Sequence, residues 1–325
     1  MKPVIPVKYS ELGHTGISVS QLCFGSLALG PAQHNLSLSR SKELLMYAWR
    51  LGVNFFDTAE LYGTYPHLRC VSQLPGAVIA SRCYAVTGNE MLESFDLCRR
   101  ELGRDTLDIF GLHEQESGLT LKGHSGALAF LERQKALGNL RAISVSTHSV
   151  DCVRAAAMRD DVDVIFALLN VAGLGIRGGS RQDMEEALRF AVEAGKGVYL
   201  MKALGGGHLH RDAERALAYA ASFPWKSSVC VGLCDEYEVE CASRVLSGEE
   251  PPEAPACRDG AGRRLLIEDW CEACGKCVEK CSFGALRIED GKAAVDPQKC
   301  MLCGYCARVC PHFCLKVVRT FGDDA

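Results

Sequence analysis

Cys271, Cys274, Cys277 and Cys281 form one run of cysteines, and Cys300, Cys303, Cys306 and Cys310 form a second, followed by Pro311. Both read C-x2-C-x2-C-x3-C, and the second repeats the first 29 positions later. At this spacing three thiolates hold one face of an iron–sulfur cube, and the fourth cysteine of each run ligates the other cube. Cys271, Cys274, Cys277 and Cys310 are therefore expected to hold one [4Fe–4S] cluster, and Cys300, Cys303, Cys306 and Cys281 the other. A chain so equipped moves electrons singly. A pair of structural zinc sites competes with this reading, since each run offers four thiols. Zinc pairs, however, usually leave a longer gap between two C-x2-C halves. Disulfides suit secreted chains, and nothing in this sequence points to secretion.

The chain has 325 residues and 18 cysteines, so ten lie outside the two runs. Most of those ten fall in apolar segments, where a thiol behaves as a small hydrophobe. So many thiols point to an anaerobic setting. Length suits one large domain plus a small one. A net charge of −4 implies no nucleic-acid partner. No apolar stretch is long enough for a transmembrane helix, and Met1–Ser10 lacks the apolar core of a signal peptide. The expected location is the cytoplasm.

Something must position chemistry upstream of the cysteines. Eight short Val/Ile/Phe-rich runs read as buried parallel strands: Gln21–Gly25, Val53–Asp57, Ala77–Arg82, Leu107–His113, Ala142–Thr147, Val162–Leu169, Gly197–Met201 and Ser227–Gly232. Between them lie amphipathic helical patterns at Ser41–Leu51, Met91–Leu102, Ser125–Leu137, Val150–Met158, Met184–Ala194, Ala213–Ala221 and Glu236–Leu246. Several end in glycine, as helix C-termini do. Eight such units predict an α/β fold, a (β/α)8 TIM barrel over residues 1–248. A doubly wound sheet would carry a Gly-rich first turn, absent here. Val7–Ser10 and Ile17–Ser20 read as a hairpin plugging the barrel bottom. A Pro-rich linker is expected over 249–262, an α+β bacterial-ferredoxin-like domain over 263–319, and a frayed tail over 320–325.

Barrel enzymes work at the C-terminal ends of their strands. There stand Asp57 and Tyr62 after strand two, Arg82 after strand three and His113 after strand four. Ser146 and His148 end strand five, Asn170 follows strand six, Lys202 and Gly205–Gly207 follow strand seven, and Gly232 closes strand eight. A tyrosine is a poor acid unless a nearby cation lowers its pKa, and a hydrogen-bonded histidine polarises a carbonyl. The set suits protonation of a ketone or aldehyde oxygen. Each member also has a plainer reading: Asp57 as a helix cap, His113 as a core histidine, Arg82 as a structural partner of Asp57, and the glycines as a tight turn without ligand. Loops after strands seven and eight often cradle phosphate, with Lys202 as a pocket charge beside it. Glu114 and Glu116 read as supporting partners rather than a catalytic acid pair, and His124, His148, His208 and His210 as supporting or surface groups. Trp270 is expected to pack over a cluster.

The order Asp57…Tyr62…Arg82…His113 on eight strands resembles the aldo/keto reductase superfamily over residues 8–248. With the two-cluster tail, the whole chain is similar to the branch of that superfamily fused to a ferredoxin domain. The stretches Leu112–Ser117 and Met201–His208 resemble signatures of that branch. The resemblance implies Tyr62 as general acid/base, Asp57 as support for the cation that tunes it, and His113 as the group orienting the carbonyl. It matches Ser146 and Asn170 to positions that hold a nicotinamide carboxamide, and Glu238 to one that contacts adenine. Two positions depart from the pattern. Arg82 replaces the usual lysine, keeping the charge but unable to release a proton. After strand eight, Asp235 and Glu236 stand where a 2′-phosphate would want cations, and Ala242 replaces an adenine-binding asparagine, so NADH is favoured over NADPH.

A nicotinamide moves two electrons and a cluster one, so direct exchange needs a splitter. A flavin mononucleotide under the strand-seven and strand-eight loops would serve, although no flavin fingerprint is present. Three schemes follow. In the first, NAD(P)H reduces a small carbonyl compound, or an alcohol is oxidised, and the clusters aid assembly or sensing. In the second, an external ferredoxin or flavoprotein carrier feeds electrons through the clusters to a substrate at Tyr62 and His113. In the third, the chain is a non-catalytic electron-transfer adaptor, against which Asp57, Tyr62 and His113 count.

Overall fold

In a computed structural model of the chain, the described residues are 7–31, 33–253, 263–300, 302 and 304–319. The order opens with a hairpin of β1 (Tyr9–Glu11) and β2 (Ser18–Ser20). The barrel strands follow: β3 (Leu22–Gly25), β4 (Phe55–Asp57), β5 (Val78–Cys83), β6 (Leu107–Leu112), β7 (Leu140–Thr147), β8 (Val164–Leu168), β9 (Gly197–Met201) and β10 (Ser228–Gly232). All eight pair in parallel, and β10 returns to β3 to close the barrel. Each expected strand is present, with ends moved by a residue or two where the run leaves the hydrogen-bonded ladder.

The barrel helices are α1 (Leu38–Arg50), α2 (Tyr65–Ser72), α3 (Gly88–Leu102), α4 (Gly118–Gly123), α5 (Ser125–Ala136), α6 (Val150–Ala157), α7 (Arg181–Glu193), α8 (Ala213–Ala221) and α9 (Glu236–Ser247). The seven expected helices are among them. Local chemistry starts several: the side chains of Ser37, Thr87, Ser149, Ser180 and Asp235 each accept a backbone N–H of the first turn. The short α2 and α4 were not anticipated. Pro66 in the first turn of α2 is compatible with a helix start, and Tyr65, Leu68, Val71 and Ser72 bury its inner face.

Apolar side chains between strands and helices make one core, and inward-facing ones fill the barrel interior. The hairpin carries Leu12, Ile17 and Val19 into that interior from the N-terminal end, each without exposed surface. Gly13 makes this closure feasible. Its φ is +58°, and an added Cβ would lie 2.2 Å from the backbone nitrogen of Gly197.

The second domain comprises β11 (Arg263–Ile267), α10 (Lys276–Lys280), β12 (Leu286–Glu289), β13 (Lys292–Val295), α11 (Tyr305–Arg308) and β14 (Leu315–Arg319). β11 pairs antiparallel with β14, and β12 with β13. Asp290 and Gly291, both with positive φ, form the two-residue turn between β12 and β13. The 29-residue repeat reappears in the backbone: Ala273 matches Leu302 (both φ +51°), and Gly275 matches Gly304 (+77° and +74°). Gly284 at +58° matches Phe313 at +54°, so the second copy places a bulky ring where the first has glycine. Most of the expected linker (254–262) and the tail (320–325) lie outside the described residues.

Candidate active site

β4 ends in Asp57, and the turn Glu60–Tyr62 follows at once. Gly63 closes the turn in the left-handed region. The Thr58 and Thr64 hydroxyls lie 2.8 Å apart, and Thr64 meets Ser26 on β3's exit at 2.7 Å, all without exposed surface. These bonds hold Tyr62 over the barrel mouth.

Beneath it lies a buried ion pair. Arg82 Nη1 and Nη2 donate to the two carboxylate oxygens of Asp57 at 2.7 and 2.6 Å. Tyr199, on β9, donates to Asp57 Oδ2 at 3.0 Å and stacks on Phe166 with centroids 4.0 Å apart. The Arg82 guanidinium lies over Phe166 at 4.5 Å and 5.8 Å from the Tyr62 ring centroid. Burial pushes the Tyr62 hydroxyl above its ordinary pKa, while Arg82 pulls it down. The net shift is upward, so the expected lowering by a cation does not dominate: Arg82's charge is already matched by Asp57. Tyr62 is therefore protonated at neutral pH and able to donate.

His113 follows β6, its backbone N–H bound to Cys83 O at 2.9 Å. Its ring stacks on Tyr84 (4.6 Å) and stands edge-on to Tyr62 (5.8 Å). The ring is buried, and Nδ1 has no hydrogen-bond partner. Burial first, then the charges of Arg82 and Lys202, hold its pKa well below the ordinary histidine range. It is a neutral imidazole that lines the cavity, with Nδ1 closed off from its surface.

Asp57, Tyr62, Arg82, His113, Ser146, Lys202, Gly206, Gly207 and Gly232 share one cavity of about 420 Å³. Its roof comes from the second domain, through Trp270 and the segment Pro311–Phe313 with Lys316. Phe313 reaches furthest. A Cβ built on Gly175 would lie 2.3 Å from its ring, and one on Gly206 2.7 Å. Trp270, expected over a cluster, instead edges this cavity and donates its indole N–H to His312 O at 3.2 Å.

The remaining expected dinucleotide contacts do not assemble. Asn170 has no exposed surface; its amide both donates to and accepts from the Leu174 backbone. Ser146 accepts the Glu114 backbone N–H at 2.9 Å. Glu238 takes the Cys234 backbone N–H at 2.9 Å beside the start of α9. Glu236, expected to face a ribose, makes two 2.6 Å bonds to Arg40. Asp235 caps α9. Gly205 is buried beneath Leu174 and Leu209, Gly206 lies under Phe313, and Gly207 is open. Asn170, Glu236 and Glu238 are thus engaged within the protein, whereas Ser146, Lys202, Gly206, Gly207 and Gly232 line the cavity beneath Phe313.

The supporting groups expected around the site are placed as follows. Glu114 accepts the Tyr84 hydroxyl at 2.8 Å, and Glu116 pairs with Arg177. His148 lines the cavity, 3.8 Å from Glu114. His124 bonds the Thr120 carbonyl within its own turn. His208 stands 5.7 Å from the Phe313 ring, and His210 bonds Gly207 O at 2.9 Å. Sequence reasoning missed Tyr199, Phe166 and Tyr84. It also missed Cys230, which lines the cavity and sits in register with Cys23 on the neighbouring strand.

In the second domain, Cys271, Cys274, Cys277 and Cys310 line one small cavity. Cys281, Cys300 and Cys306 line another. Cys303 lies outside the described residues. Thiols drawn from both runs thus surround two separate spaces, a donor set that fits two cubane clusters.

Comparison with known proteins accords with this architecture. The model of the aldo/keto reductase family matches residues 21–226. The chain belongs to the aldo/keto reductase family. Residues 270–314 match a 4Fe-4S dicluster domain. The chain is 24% identical to L-galactose dehydrogenase of Arabidopsis thaliana over 217 residues, covering 62% of this chain and 67% of that protein. It is 24% identical to 6-dehydroglucose reductase of Novosphingobium aromaticivorans, covering 76% and 90%. The C-terminal part is 41% identical to a polyferredoxin of Methanothermobacter marburgensis over 61 residues, 15% of each chain. Among solved structures, an aldo-keto reductase from Pseudomonas aeruginosa superposes with a TM-score of 0.66 at 20% identity, covering 76% of this chain and 99% of that one. This aldo/keto reductase is an oxidoreductase with a 4Fe-4S dicluster domain. No helix among the described residues is long and apolar enough to cross a membrane.

Proposed function

We propose that this aldo/keto reductase interconverts a carbonyl compound and its alcohol in the chamber between its two domains. Tyr62 is the acid/base, and reducing equivalents enter through the dicluster domain rather than from a nicotinamide. One observation carries this reading: Phe313 sits against Gly175 and Gly206, closing the mouth above Tyr62 and His113 where a dinucleotide would lie.

Reduction of a carbonyl consumes two electrons and two protons: the electrons arrive singly through the dicluster domain, one proton ends on oxygen, and the other, drawn from solvent, ends on carbon. Tyr62, kept protonated by burial, donates the proton that ends on oxygen. His113, neutral and edge-on to Tyr62 in the cavity wall, offers a hydrogen bond from its ring to that same oxygen and so fixes its direction. Arg82 and Asp57 hold the floor as a neutral pair whose positive end faces the Tyr62 ring, opposing part of the burial shift and easing proton donation. Phe313 and Trp270 stand above them and narrow the opening to solvent. Cys271, Cys274, Cys277 and Cys310 are the proposed ligands of one cluster, and Cys281, Cys300, Cys303 and Cys306 of the other. When bound, such clusters supply electrons one at a time at low potential.

The test is an anaerobic titration of the cluster-loaded protein, following its visible absorbance. NADH and NADPH should leave the absorbance unchanged, whereas dithionite or a reduced ferredoxin should bleach it. Protein reduced in this way should then convert a carbonyl substrate, and Tyr62→Phe should slow that step by about 10²-fold or more with bleaching intact. Rapid bleaching by either nicotinamide would overturn the electron route. Full activity of Tyr62→Phe would overturn the acid/base role.

A further inference from the structure

We propose that the chamber is built for an oxo acid, a carbonyl compound carrying a carboxylate, and that Lys202 binds the carboxylate. This rests on the reading of the chamber as the substrate site.

Most charges around the chamber are paired; the exceptions are Lys202 and the Glu114 carboxylate, which meets only the Tyr84 hydroxyl at 2.8 Å and the neutral His148 at 3.8 Å. Arg82 is matched by Asp57, Arg177 by Glu116, Lys316 by Glu268 and His312 by Glu272. The Lys202 ammonium has neither a carboxylate nor a hydrogen-bond acceptor within reach among the described residues. Its Nζ lies 4.7 Å from the centroid of the Phe313 ring. Lys202 is half-buried, and an ammonium that has lost part of its hydration without gaining an acceptor is stabilised by a ligand that supplies one.

The backbone tells the same story. Lys202 has φ +54°, a left-handed conformation that a non-glycine residue adopts only under strain. The strain is held by the turn in which Gly205 N–H binds Lys202 O at 2.7 Å. That turn lifts the lysine out of β9 and into the chamber. Phe313, facing it, is strained in the same way at +54°. Strained residues cluster at ligand sites because surrounding structure is used to hold them there.

His113 supplies the second point of recognition. Its neutral ring lines the same chamber, 5.8 Å from the Tyr62 ring. A neutral donor beside Tyr62 suits a carbonyl oxygen, and an unpaired ammonium suits a carboxylate. The two groups sense each other, since the charge of Lys202 helps to depress the His113 pKa. Lys202 itself is pulled down to about 8 by burial and by the cations Lys316 and Arg177, with Glu114 opposing. An incoming anion relieves that cost. A cavity of about 420 Å³ admits a compact organic acid.

The experiment is calorimetric binding of benzoylformate and of its methyl ester, which share the carbonyl and differ in charge, to the cluster-loaded protein at pH 7. The acid should bind about tenfold or more tightly than the ester. Lys202→Met should bring the two affinities together, and Lys202→Arg should keep most of the preference. An unchanged visible spectrum and circular dichroism establish that each variant is folded. Equal binding of acid and ester by the unaltered protein, or an undiminished preference in Lys202→Met, would overturn the proposal. So would displacement of benzoylformate by an equal concentration of inorganic phosphate, which would mark a phosphate site instead. A carboxylate preference without any turnover would sink the functional reading and leave this one standing. Turnover of both compounds with equal affinity would do the reverse.

Discussion

The ion pair Asp57–Arg82 is the most consequential arrangement of side chains in the barrel. Both residues are almost completely buried, so their attraction must offset the loss of two hydration shells. Removing one partner leaves the other charge stranded. Asp57→Asn should therefore lower unfolding stability by about 3 kcal/mol or more, measured as a shift of the denaturant midpoint at constant slope. A change below about 1 kcal/mol would mean that water reaches Arg82. Two histidines predict a pH dependence. Burial holds His113 and His148 well below the ordinary histidine pKa. The unfolded chain then binds more protons than the folded one once pH falls through about 6.5. Stability should be level near neutrality and fall between about pH 6.5 and 5, and His148→Gln should flatten that fall in thermal unfolding. Lys202 adds a slope of the same sign at higher pH: between its depressed value of about 8 and the ordinary lysine value the unfolded chain again binds more protons, so stability rises with pH there.

Among elements, the decisive meeting is between the turn after β9 and the turn before β14. Gly206 and Phe313 both have positive φ and touch. Gly206→Val would strain the first turn and push a methyl group into the Phe313 ring. Hydrogen exchange over residues 311–318 should rise several-fold, and Phe313→Ala in the same chain should suppress part of that rise. Exchange indistinguishable from the parent would mean that this contact does not seat the domain. Much of the element level was legible beforehand. The eight strands announced themselves as short β-branched runs, and Asp57, Arg82 and His113 were found because each ends such a run. Tyr199 and Phe166 were not, because an inward aromatic inside an apolar run looks like any other core residue. The loss of Asn170 to Leu174 was also invisible, since it depends on how one loop turns back on itself. Phe313 left a single trace, its place opposite Gly284 when the two copies of the repeat are aligned.

At the level of the whole molecule, the chamber belongs to neither domain alone. The barrel supplies Tyr62, Arg82, His113 and Lys202, and the dicluster domain supplies the roof. The proposed ligand partition can be tested here. Cys274→Ser should remove about half of the iron and leave the cluster held by Cys281, Cys300, Cys303 and Cys306 detectable by electron paramagnetic resonance. Loss of all iron would mean that the two sites form only together. Substrate binding measured by calorimetry should weaken alongside, because Cys271 and Cys310 flank Trp270 and Pro311 in the roof.

The repeat that built the dicluster domain has not kept its halves equivalent. The thiols of Cys271 and Cys310 adjoin residues of the roof, whereas the cavity lined by Cys281, Cys300 and Cys306 shares no lining residue with the chamber among the described residues. A chain loaded in this way has an inner terminal and an outer one. Gly284, on the outer half, has open space beside it, whereas Phe313, its counterpart, plugs the inner half into the barrel. A glycine in one copy of the motif and a phenylalanine in the other thus leave the two ends of a doubled motif in different surroundings.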